Sequence, residues 1–380
     1  MNFSLTEELE LIQKMARDFA DTELLPRATK HDREEAIDPA VMQGMADLGM
    51  WGLTIPEEYG GSGLGNLALC LVLEEINRAC ASTGVTLSVH NSLVCAPIIK
   101  FATPELKREW LPRMATGEIL GAYCLTEPNS GSDAAALTTR AVKDGNDYVI
   151  DGTKIWVTSG SLAGLLIVYA RTNPDVQKAR GITAFLVDPT AKGVHVGKKE
   201  SKCGIRGSPA VEMQFSGARV PASNILGTLD RGFQIALDTL DGGRIGIASQ
   251  AVGIGQACLD AAIKYSKERE QFGKTISNFQ AIQWKLADMA MRLEASRMLV
   301  HKAAWLRDQQ LPCGPQAATA KLCASQAANF AADECLQIHG GAGYTDHFHV
   351  ERLFRDARIT EIYEGATDIQ RLVIARSLLA

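Results

Sequence analysis

The chain lacks any apolar run of the length that crosses a membrane, about 18 residues or more, because charged residues, glycine or proline interrupt its apolar stretches. It also lacks an excess of basic residues: the formal net charge is -5, and 22% of the 380 residues are charged. Sequence-independent binding to nucleic acid or to an anionic membrane needs a broad cationic surface. We therefore expect no membrane or nucleic-acid partner, and small molecules or other proteins as ligands.

Paired cysteine motifs are absent as well. The chain has nine cysteines, an odd number, and no two of them have C-x-x-C spacing. This argues against a disulfide framework and a zinc knuckle, and it favours a reducing compartment. Residues 1–8 have neither the basic flank and apolar run of a secretory signal nor the composition of a transit peptide. The expected location is the cytoplasm of a bacterial-type cell, or the mitochondrial matrix if the chain is a processed eukaryotic one.

Proline is scarce in the last part of the chain. Of the 13 prolines, only Pro312 and Pro315 lie beyond Pro221. This region is therefore free to be helical. Within 282–306, apolar residues recur at intervals of three, four or seven, with charged residues between them. That pattern predicts a helix with one face turned to the core of a bundle.

The middle of the chain has a different pattern. Short runs rich in β-branched and aromatic residues occupy 119–226, and the pairs Asp144-Gly145 and Asp151-Gly152 divide them as predicted turns. Runs of this length with hairpin signals favour an antiparallel sheet or a small barrel over a parallel sheet with crossover helices.

Helical signals return at the N-terminus. Ser4 or Thr6 is a candidate cap for a helix running through Phe19, 67–78 is a second amphipathic run, and glycine-rich 59–65 is interpreted as a loop. The predicted fold is a multidomain α+β protein with an N-terminal helical domain, a middle antiparallel barrel-like β domain and a C-terminal four-helix bundle. Its predicted boundaries are 1–118, 119–228 and 229–380.

Glu364 is the candidate catalytic base. It lies between Tyr363 and Gly365, after Ile362. A partly dry pocket at this place would raise the pKa of its carboxyl group and strengthen it as a base once it is ionised. The alternative, a solvated glutamate at a helix end, is the commoner fate of an isolated glutamate.

Four further strings could carry chemistry. The run 123–133 combines hydroxyls, an amide and a proline–glycine turn, which suits a polar heterocycle or a phosphate, although an ordinary turn is equally compatible. Trp156 ends a predicted strand and could instead be a core residue. The glycines in 337–344 break a long helical region and allow a ligand to approach the backbone. In 241–244, two glycines precede Arg244, a fixed positive charge.

Together these strings resemble the acyl-CoA dehydrogenase family over essentially the whole chain. Residues 124–136 are similar to the family's first signature, 337–356 to its second, and 363–365 to the loop that carries its base. The resemblance implies an FAD enzyme that removes the α hydrogen of an acyl-CoA as a proton and the β hydrogen as a hydride. The product is a trans-2-enoyl-CoA, with Glu364 as the base and flavin N5 as the hydride acceptor. A homotetramer and electron-transferring flavoprotein as the acceptor are implied too.

The resemblance also implies residue roles. The flavin ring would be lined by Tyr123, Leu125, Thr126, Gly131, Ser132, Trp156, Val157 and Thr158, with Trp156 shielding its outer face toward the partner. Other contacts to FAD, largely across a subunit interface, would come from Arg269, Phe272, Gln280, Gln337, Gly340, Gly341, Thr367 and Asp368. The acyl-CoA would be held by Ser132, Asp241, Arg244, Gln250, Thr360, Tyr363 and Gly365. No metal is expected.

Two positions depart from the family pattern. Ala366 stands where a hydroxyl contact to FAD is common, and Thr367 is a possible replacement for it. His347 occupies a place usually held by an acid or amide. With His349 it could suggest a metal, but two histidines without a third ligand are more typical of a surface loop.

The substrate is predicted by comparison within the family. Subfamilies that move the base place a glutamate where this chain has Gly243, so Glu364 has no competitor. Glutaryl-CoA dehydrogenases place an arginine at what looks like Gly84, which disfavours a dicarboxylic chain. Gln250 and Thr360 match residues that close the acyl pocket of short-chain members. We expect a short-chain acyl-CoA, with short branched chains also possible.

Two other functions remain open from the sequence. An acyl-CoA oxidase would run the same half-reaction and pass electrons to oxygen, although the length of 380 residues favours a dehydrogenase. A flavin-binding or assembly module without activity would be expected to lack the base, and Glu364 is present.

Overall fold

The computed structural model describes residues 4–176 and 179–380, in the order helical, β, helical. Thr6 caps the first helix as expected, because its hydroxyl accepts a hydrogen bond from the Leu9 N–H at 3.3 Å. The predicted run 67–78 lies within the fourth helix. The helices of the N-terminal part are α1 (Glu7–Phe19), α2 (Ala28–Glu34), α3 (Pro39–Asp47), α4 (Gly65–Ala79), α5 (Ala81–Ser88), α6 (Ala96–Phe101) and α7 (Pro104–Ala115).

A π-helical segment, Val89–Cys95, continues α5 and is buried along its whole length. Its residues Leu93 and Val94 belong to the largest apolar core, which also contains residues of the β domain and of the C-terminal helices. A fully buried segment at this junction fixes the N-terminal part against both others, because its apolar side chains have no exposed alternative.

The middle part is a twisted sheet, and its strands are β1 (Leu120–Cys124), β2 (Arg140–Asp144), β3 (Asp147–Thr158), β4 (Ala163–Arg171), β5 (Ile182–Val187), β6 (Val194–Lys199), β7 (Ala210–Pro221) and β8 (Ile225–Leu226). They lie in the order β6-β7-β3-β2-β4-β5-β8, with β1 paired to β4. Neighbouring strands are antiparallel as predicted, with two exceptions: β1 and β4 run parallel, and β2 meets β4 in a parallel bridge.

One of the two predicted turns is a real turn, and the other is not. Asp144 pairs with Asp147 across a hairpin, with Gly145 in the left-handed region. Asp151-Gly152, by contrast, lies inside the continuous strand β3, where the register with β7 shifts. Gly152 has φ +151°, and a β carbon there would stand 2.4 Å from Thr139 Oγ1. The glycine therefore marks a β-bulge and not a chain reversal.

Three long helices dominate the C-terminal part, and the last helix packs on the third of them. The predicted helix 282–306 lies within the second, and the glycine break ends the third. The helices are α8 (Gly232–Glu268), α9 (Gln280–Asp308), α10 (Gly314–His339), α11 (Val350–Arg358) and α12 (Thr367–Leu379). A small hairpin of β9 (Glu270–Gln271) and β10 (Lys274–Thr275) joins α8 to α9.

Within the described residues, no helix is both long and apolar enough to span a membrane. The nine cysteines are all free thiols. No group of three or more metal-ligating side chains occurs in the part of the chain that the structure describes, and His347 and His349 are exposed.

Candidate active site

Glu364 lies in the short loop between α11 and α12. Its backbone is left-handed, with φ +52°, and Gly365 follows with φ +88°. Two successive residues of this kind reverse the chain tightly, at a cost of about 1–3 kcal/mol for the non-glycine residue. A side chain at position 365 is also excluded by space, since a β carbon there would stand 2.5 Å from Gln370 Nε2.

This turn points the Glu364 carboxylate at α8. A β carbon on Gly243 would lie 2.7 Å from Glu364 Oε2 and 2.8 Å from Leu93 Cδ2. Oε2 is buried and has no hydrogen-bond partner in the described residues, although the residue as a whole is partly exposed. The carboxylate therefore faces a gap bounded by a bare helix backbone and a leucine.

Burial raises the pKa of Glu364 to about 7, and the positive charges of Lys321 and Arg244 act in the opposite direction. A carboxyl group with this pKa is ionised for part of the time at neutral pH and accepts a proton more readily than an exposed glutamate. These are the properties expected of a general base.

Arg244 lies one residue beyond Gly243 on α8 and is buried. Its Nη1 donates to Asp241 Oδ1 at 2.5 Å, while its Nε has no partner in the described residues. Burial raises the pKa of Asp241, and Arg244 opposes this. The pair therefore carries a buried guanidinium with an unused donor, which suits an electronegative group of a ligand.

Gln250 and Thr360 lie close to this loop and are both completely buried. The Tyr363 hydroxyl donates to Gln250 Oε1, and Gln250 Nε2 donates to the Ala81 carbonyl at 3.1 Å. The Thr360 hydroxyl donates to the Ala357 carbonyl at 2.7 Å. These side chains are held by bonds within the protein, so they form a fixed boundary and not a mobile one.

The string 123–133 begins on β1 and is fastened by a buried ion pair. Lys154 Nζ donates to Glu127 Oε1 at 2.8 Å and to the Leu125 carbonyl at 3.1 Å, and both side chains are almost fully buried. Burial alone would raise the pKa of Glu127, but Lys154 and hydrogen bonds from Thr138 and Thr139 lower it to about 2. The pair ties the string to β3, on which the predicted flavin residue Trp156 lies.

Trp156 stands at the exposed end of β3. Its side chain is 57% exposed, and its backbone has φ +59°, an outlier for a bulky residue. The indole is strained and exposed, so Trp156 is not the core residue that the sequence left as an alternative. Val157 is buried in the core of the sheet, so only its backbone is left for a ligand, and Thr158 closes the strand.

The remaining residues of the first string fall into two groups. Tyr123 packs on Tyr169 at 5.2 Å between ring centroids, and its hydroxyl is buried without a partner in the described residues. Leu125 is buried, and the Thr126 carbonyl accepts a hydrogen bond from the Ile155 N–H at 2.9 Å. Gly131 and Ser132, by contrast, lie on the exposed part of the loop.

Another predicted set lies far from the base within one chain. Lys321 on α10 and Gly243 on α8 both lie beside Glu364. At a rise of 1.5 Å per helical residue, Gln337 lies roughly 24 Å further along α10 than Lys321, and Arg269 lies roughly 39 Å further along α8 than Gly243. Phe272 is 92% exposed on the small hairpin. The members of this set at the far ends of the long helices are Arg269, Phe272, Gln280, Gln337, Gly340 and Gly341. The single chain does not bring them to Glu364.

Thr367 and Asp368 begin α12. The Thr367 hydroxyl donates to the Glu361 carbonyl at 3.2 Å, and Asp368 is exposed and accepts from Arg371 at 2.9 Å. Ala366 is the residue before the helix and provides no side-chain cap.

Sequence reasoning missed Lys321, Gln370 and Lys154. Lys321 lies at the spacing of the buried stripe Ala317, Ala324 and Ala328 on α10, and it is completely buried itself. A lysine within an alanine stripe was a readable signal. Gln370 is the only buried residue of α12 within the described residues, and nothing in its sequence context marks it.

Comparison with known proteins shows to which family this chain belongs. Three family models match: acyl-CoA dehydrogenase, N-terminal domain, over 6–118; middle domain, over 122–218; and C-terminal domain, over 230–379. The chain belongs to the acyl-CoA dehydrogenase family. It is an oxidoreductase, and its cofactor is FAD.

Individual relatives narrow the comparison. The mitochondrial short-chain specific acyl-CoA dehydrogenase of Mus musculus is 47% identical over 375 residues, covering 99% of this chain and 91% of that one. The solved butyryl-CoA dehydrogenase of Megasphaera elsdenii is 42% identical, with a TM-score of 0.98 and complete coverage of both chains. A chain in the structure described as electron transferring flavoprotein of Acidaminococcus fermentans is 44% identical, also with a TM-score of 0.98 and complete coverage.

The residues present fit FAD. Trp156 offers an exposed indole face at the end of β3, and the string 123–133 beside it is fixed by the buried Glu127–Lys154 pair. A flat heterocycle with polar edges needs an apolar face to pack against and hydrogen-bonding groups around its rim. Both are available at this place.

Proposed function

We propose that this protein oxidises short-chain acyl-CoA thioesters to trans-2-enoyl-CoA, with Glu364 as the base. The observation that carries the proposal is the Glu364 carboxylate, whose Oε2 is buried against Gly243 without a partner among the described residues and whose pKa is raised to about 7. An oxygen held in this way makes no stabilising hydrogen bond within the described residues, and the ionised carboxylate is a strong acceptor for a proton.

Glu364 removes the α proton of the thioester. The Glu364 backbone N–H makes no hydrogen bond within the described residues, so it is free to donate to the thioester oxygen as negative charge develops there. The left-handed turn at Glu364 and Gly365 presents this N–H and the carboxylate from one residue. Bound FAD supplies, through flavin N5, the acceptor for the hydride that leaves the β carbon. Ser132, Asp241 and Arg244 hold the remainder of the acyl-CoA in this proposal.

The acyl pocket ends at Gln250, Thr360 and Tyr363. Their hydrogen bonds within the protein keep the boundary in place, and a chain too long for the pocket would have to break them. Each methylene buried short of that limit contributes about 0.8 kcal/mol. We therefore expect a gradual preference up to the optimum and a steep loss beyond it. The lack of space at Gly84 supports an acyl chain without a distal carboxylate. A β carbon there would stand 2.1 Å from the Asn77 side chain, so an arginine that could pair with such a carboxylate does not fit at this position.

The remaining site assignments are proposals on the same basis. The flavin ring is contacted by Tyr123, Leu125, Thr126, Gly131, Ser132, Trp156, Thr158 and the backbone of Val157. The rest of FAD is contacted by Arg269, Phe272, Gln280, Gln337, Gly340, Gly341, Thr367 and Asp368. Several of these lie at the far ends of α8 and α10, which supports a homotetramer in which one subunit completes the FAD site of another. The domain boundaries 1–118, 119–228 and 229–380 are proposed with it.

Electron-transferring flavoprotein is the proposed acceptor. Two features support it: the exposed indole of Trp156, and the similarity to a chain in a structure described as an electron transferring flavoprotein. Its docking would bring the partner's cofactor near the end of β3. Trp156→Ala is expected to slow transfer to the partner more than reduction by substrate, because the indole's contact with the flavin serves both processes, whereas its exposed face serves only the partner.

The experiment that tests the base is Glu364→Gln. We expect the variant to keep its yellow flavin and its oligomeric state, and to lose about two to four decades of turnover with butyryl-CoA. Glu361→Gln is the matched control, because Glu361 belongs to the same loop region but pairs with Arg358 at 2.5 Å. Normal turnover in Glu364→Gln would overturn the assignment. A series of saturated acyl-CoAs, followed by anaerobic bleaching of the flavin, tests the chain length, and an optimum among long chains would contradict the proposed pocket.

A further inference from the structure

Lys321 is a buried lysine without a carboxylate partner in the part of the chain that the structure describes. Its side chain is completely buried on α10, and it forms no ion pair within 4.0 Å among the described residues. Its one hydrogen bond in the described part of the chain runs from Nζ to the Gly365 carbonyl at 2.8 Å. Ammonium groups are seldom buried unless they are paired. The position of Lys321 therefore calls for a role beyond packing.

The Gly365 carbonyl also accepts a hydrogen bond from a second donor, which lies on α12. Gln370 Nε2 donates to it at 2.7 Å and also to the Glu364 carbonyl at 3.1 Å. Lys321 and Gln370 together therefore hold both carbonyls of the left-handed turn, from two different helices. A turn that is costly in isolation needs such external support to stay in one conformation. The direction of the Glu364 carboxylate depends on it.

Lys321 also supplies charge to the site. It and Arg244 are the positive groups that act on Glu364, while the phenols of Tyr123 and Tyr363 and the carboxylate of Glu361 are the other titratable groups around the pair. Burial lowers the pKa of Lys321 to about 8, against the opposing effects of Glu364 and Glu361. Lys321 is therefore mostly charged at and below the pKa of Glu364, and it loses its own proton as the pH rises above that range.

We propose that Lys321 is a positioning residue for the base: its ammonium fixes the Gly365 carbonyl at the end of the turn and favours the ionised carboxylate without pairing with it directly. The inference rests on the proposed role of Glu364. The absence of a direct ion pair has a chemical advantage, because a carboxylate bonded to an ammonium would be a weaker base and less free to reach a substrate.

The test compares Lys321→Met with Lys321→Arg and with Lys285→Gln. Lys285 joins α9 to Glu334 on α10 and does not touch the turn, so it controls for loss of a lysine that anchors the same helix. The rate of flavin bleaching by butyryl-CoA is measured against pH. The acidic limb of this profile is the part in which the rate rises with pH as Glu364 ionises. In Lys321→Met the midpoint of the acidic limb is expected to move up by roughly one pH unit. At pH 6 the rate should then fall about tenfold for this reason alone, with recovery as the pH rises. Lys321→Arg should retain the limb of the parent protein.

A second readout does not depend on turnover. Isotope-edited infrared difference spectra, with Glu364→Gln as the reference, follow ionisation of Glu364 in the resting protein. The pKa of Glu364 is expected to rise in Lys321→Met and to stay in place in Lys285→Gln. If Lys321→Met does not fold, Lys321→Gln removes the same charge and must show the same shift. Gln370→Met keeps the charge, so it should lower the rate at every pH without moving the limb.

The outcomes separate the two proposals. A folded, flavin-bound Lys321→Met or Lys321→Gln with an unchanged acidic limb and an unchanged infrared titration overturns the role of Lys321, even where Glu364→Gln is inactive. Normal turnover in Glu364→Gln overturns the base itself, whatever the lysine variants show. An unaltered rate in Gln370→Met contradicts the support of the turn from two sides.

Discussion

Glu364 Oε2 lies 2.7 Å from the point at which a β carbon on Gly243 would stand. This relationship joins the loop before α12 to the middle of α8, and it makes the absence of a side chain at position 243 a condition for placing the base. The carboxylate occupies the space that a larger residue on α8 would fill. A glutamate at 243 and one at 364 would therefore compete for one place.

Gly243→Ala is expected to reduce activity without reducing stability. The added methyl would force the carboxylate or Leu93 to move, and a displacement of about 1 Å can cost about a hundredfold in rate. The free energy of unfolding should rise by about 0.5–1 kcal/mol if the strain is relieved, because alanine is the better residue inside a helix. Gly242→Ala is the matched control, since its β carbon would meet the far end of the Arg307 side chain at 3.2 Å and not the base. Equal rates of flavin bleaching in both variants would contradict the prediction.

The architecture could be predicted from the sequence more accurately than the individual contacts could. Thr6 as a helix start and 282–306 as a core-facing helix follow from local patterns, and both are confirmed. Gly152 was interpreted as a turn because glycine after aspartate usually marks one. Whether the chain reverses or bulges there is decided by the partner strand β7, which lies about 60 residues further along the chain.

The candidate site, too, contains residues that the local sequence marks and residues that only the packing of distant segments brings together. Glu364 stands out in its own segment, whereas Gln370 and Lys321 become neighbours only when α10 and α12 pack together. The buried alanine stripe on α10 indicates which face is covered, but it does not indicate what covers it. Long-range hydrogen bonds such as that from Tyr363 to Gln250 leave no periodic trace in either segment.

Glu364→Gln is expected to stabilise the protein in a pH-dependent way. The folded-state pKa of about 7 lies above the ordinary value of 4.5, so the native state binds the proton more tightly than the unfolded state. Between these two values the native state therefore loses stability as the pH rises. Removing the group should leave the unfolding temperature little changed at pH 4 and raise it at pH 8. Thermal unfolding of both proteins across this range measures the difference. A gap that stays constant with pH would contradict the raised pKa.

Lys154→Met is expected to destabilise the β domain strongly. It leaves the Glu127 carboxylate buried without its counter-ion, which typically costs about 3–5 kcal/mol. The double variant Glu127→Gln with Lys154→Met removes both charges and should recover a large part of that loss. Urea unfolding of the two variants and the parent protein gives the comparison. A double variant less stable than Lys154→Met alone would contradict the explanation by an unpaired charge.

Flavin retention provides a second readout for the same pair. Lys154 also bonds to the Leu125 carbonyl, so its loss loosens the string 123–133 against β3. Lys154→Met should therefore release FAD more readily than the parent protein during gel filtration. Equal flavin content after filtration would show that the string is held by other contacts.

Ala366 offers a place where stability can be gained. It precedes α12 with an extended backbone, φ -57° and ψ 158°, but it gives the helix no side-chain cap. Serine or threonine at this position can accept a hydrogen bond from the first turn of the helix, which is worth about 1 kcal/mol. We expect Ala366→Ser to raise the free energy of unfolding by that amount, with Ala366→Val as a control that has a side chain but no acceptor. Because α12 carries Gln370, which supports the turn at Glu364, a firmer first turn should also leave the acidic limb of the pH profile unchanged. Similar stability in the serine and valine variants would show that the N-terminus of α12 is already satisfied by solvent.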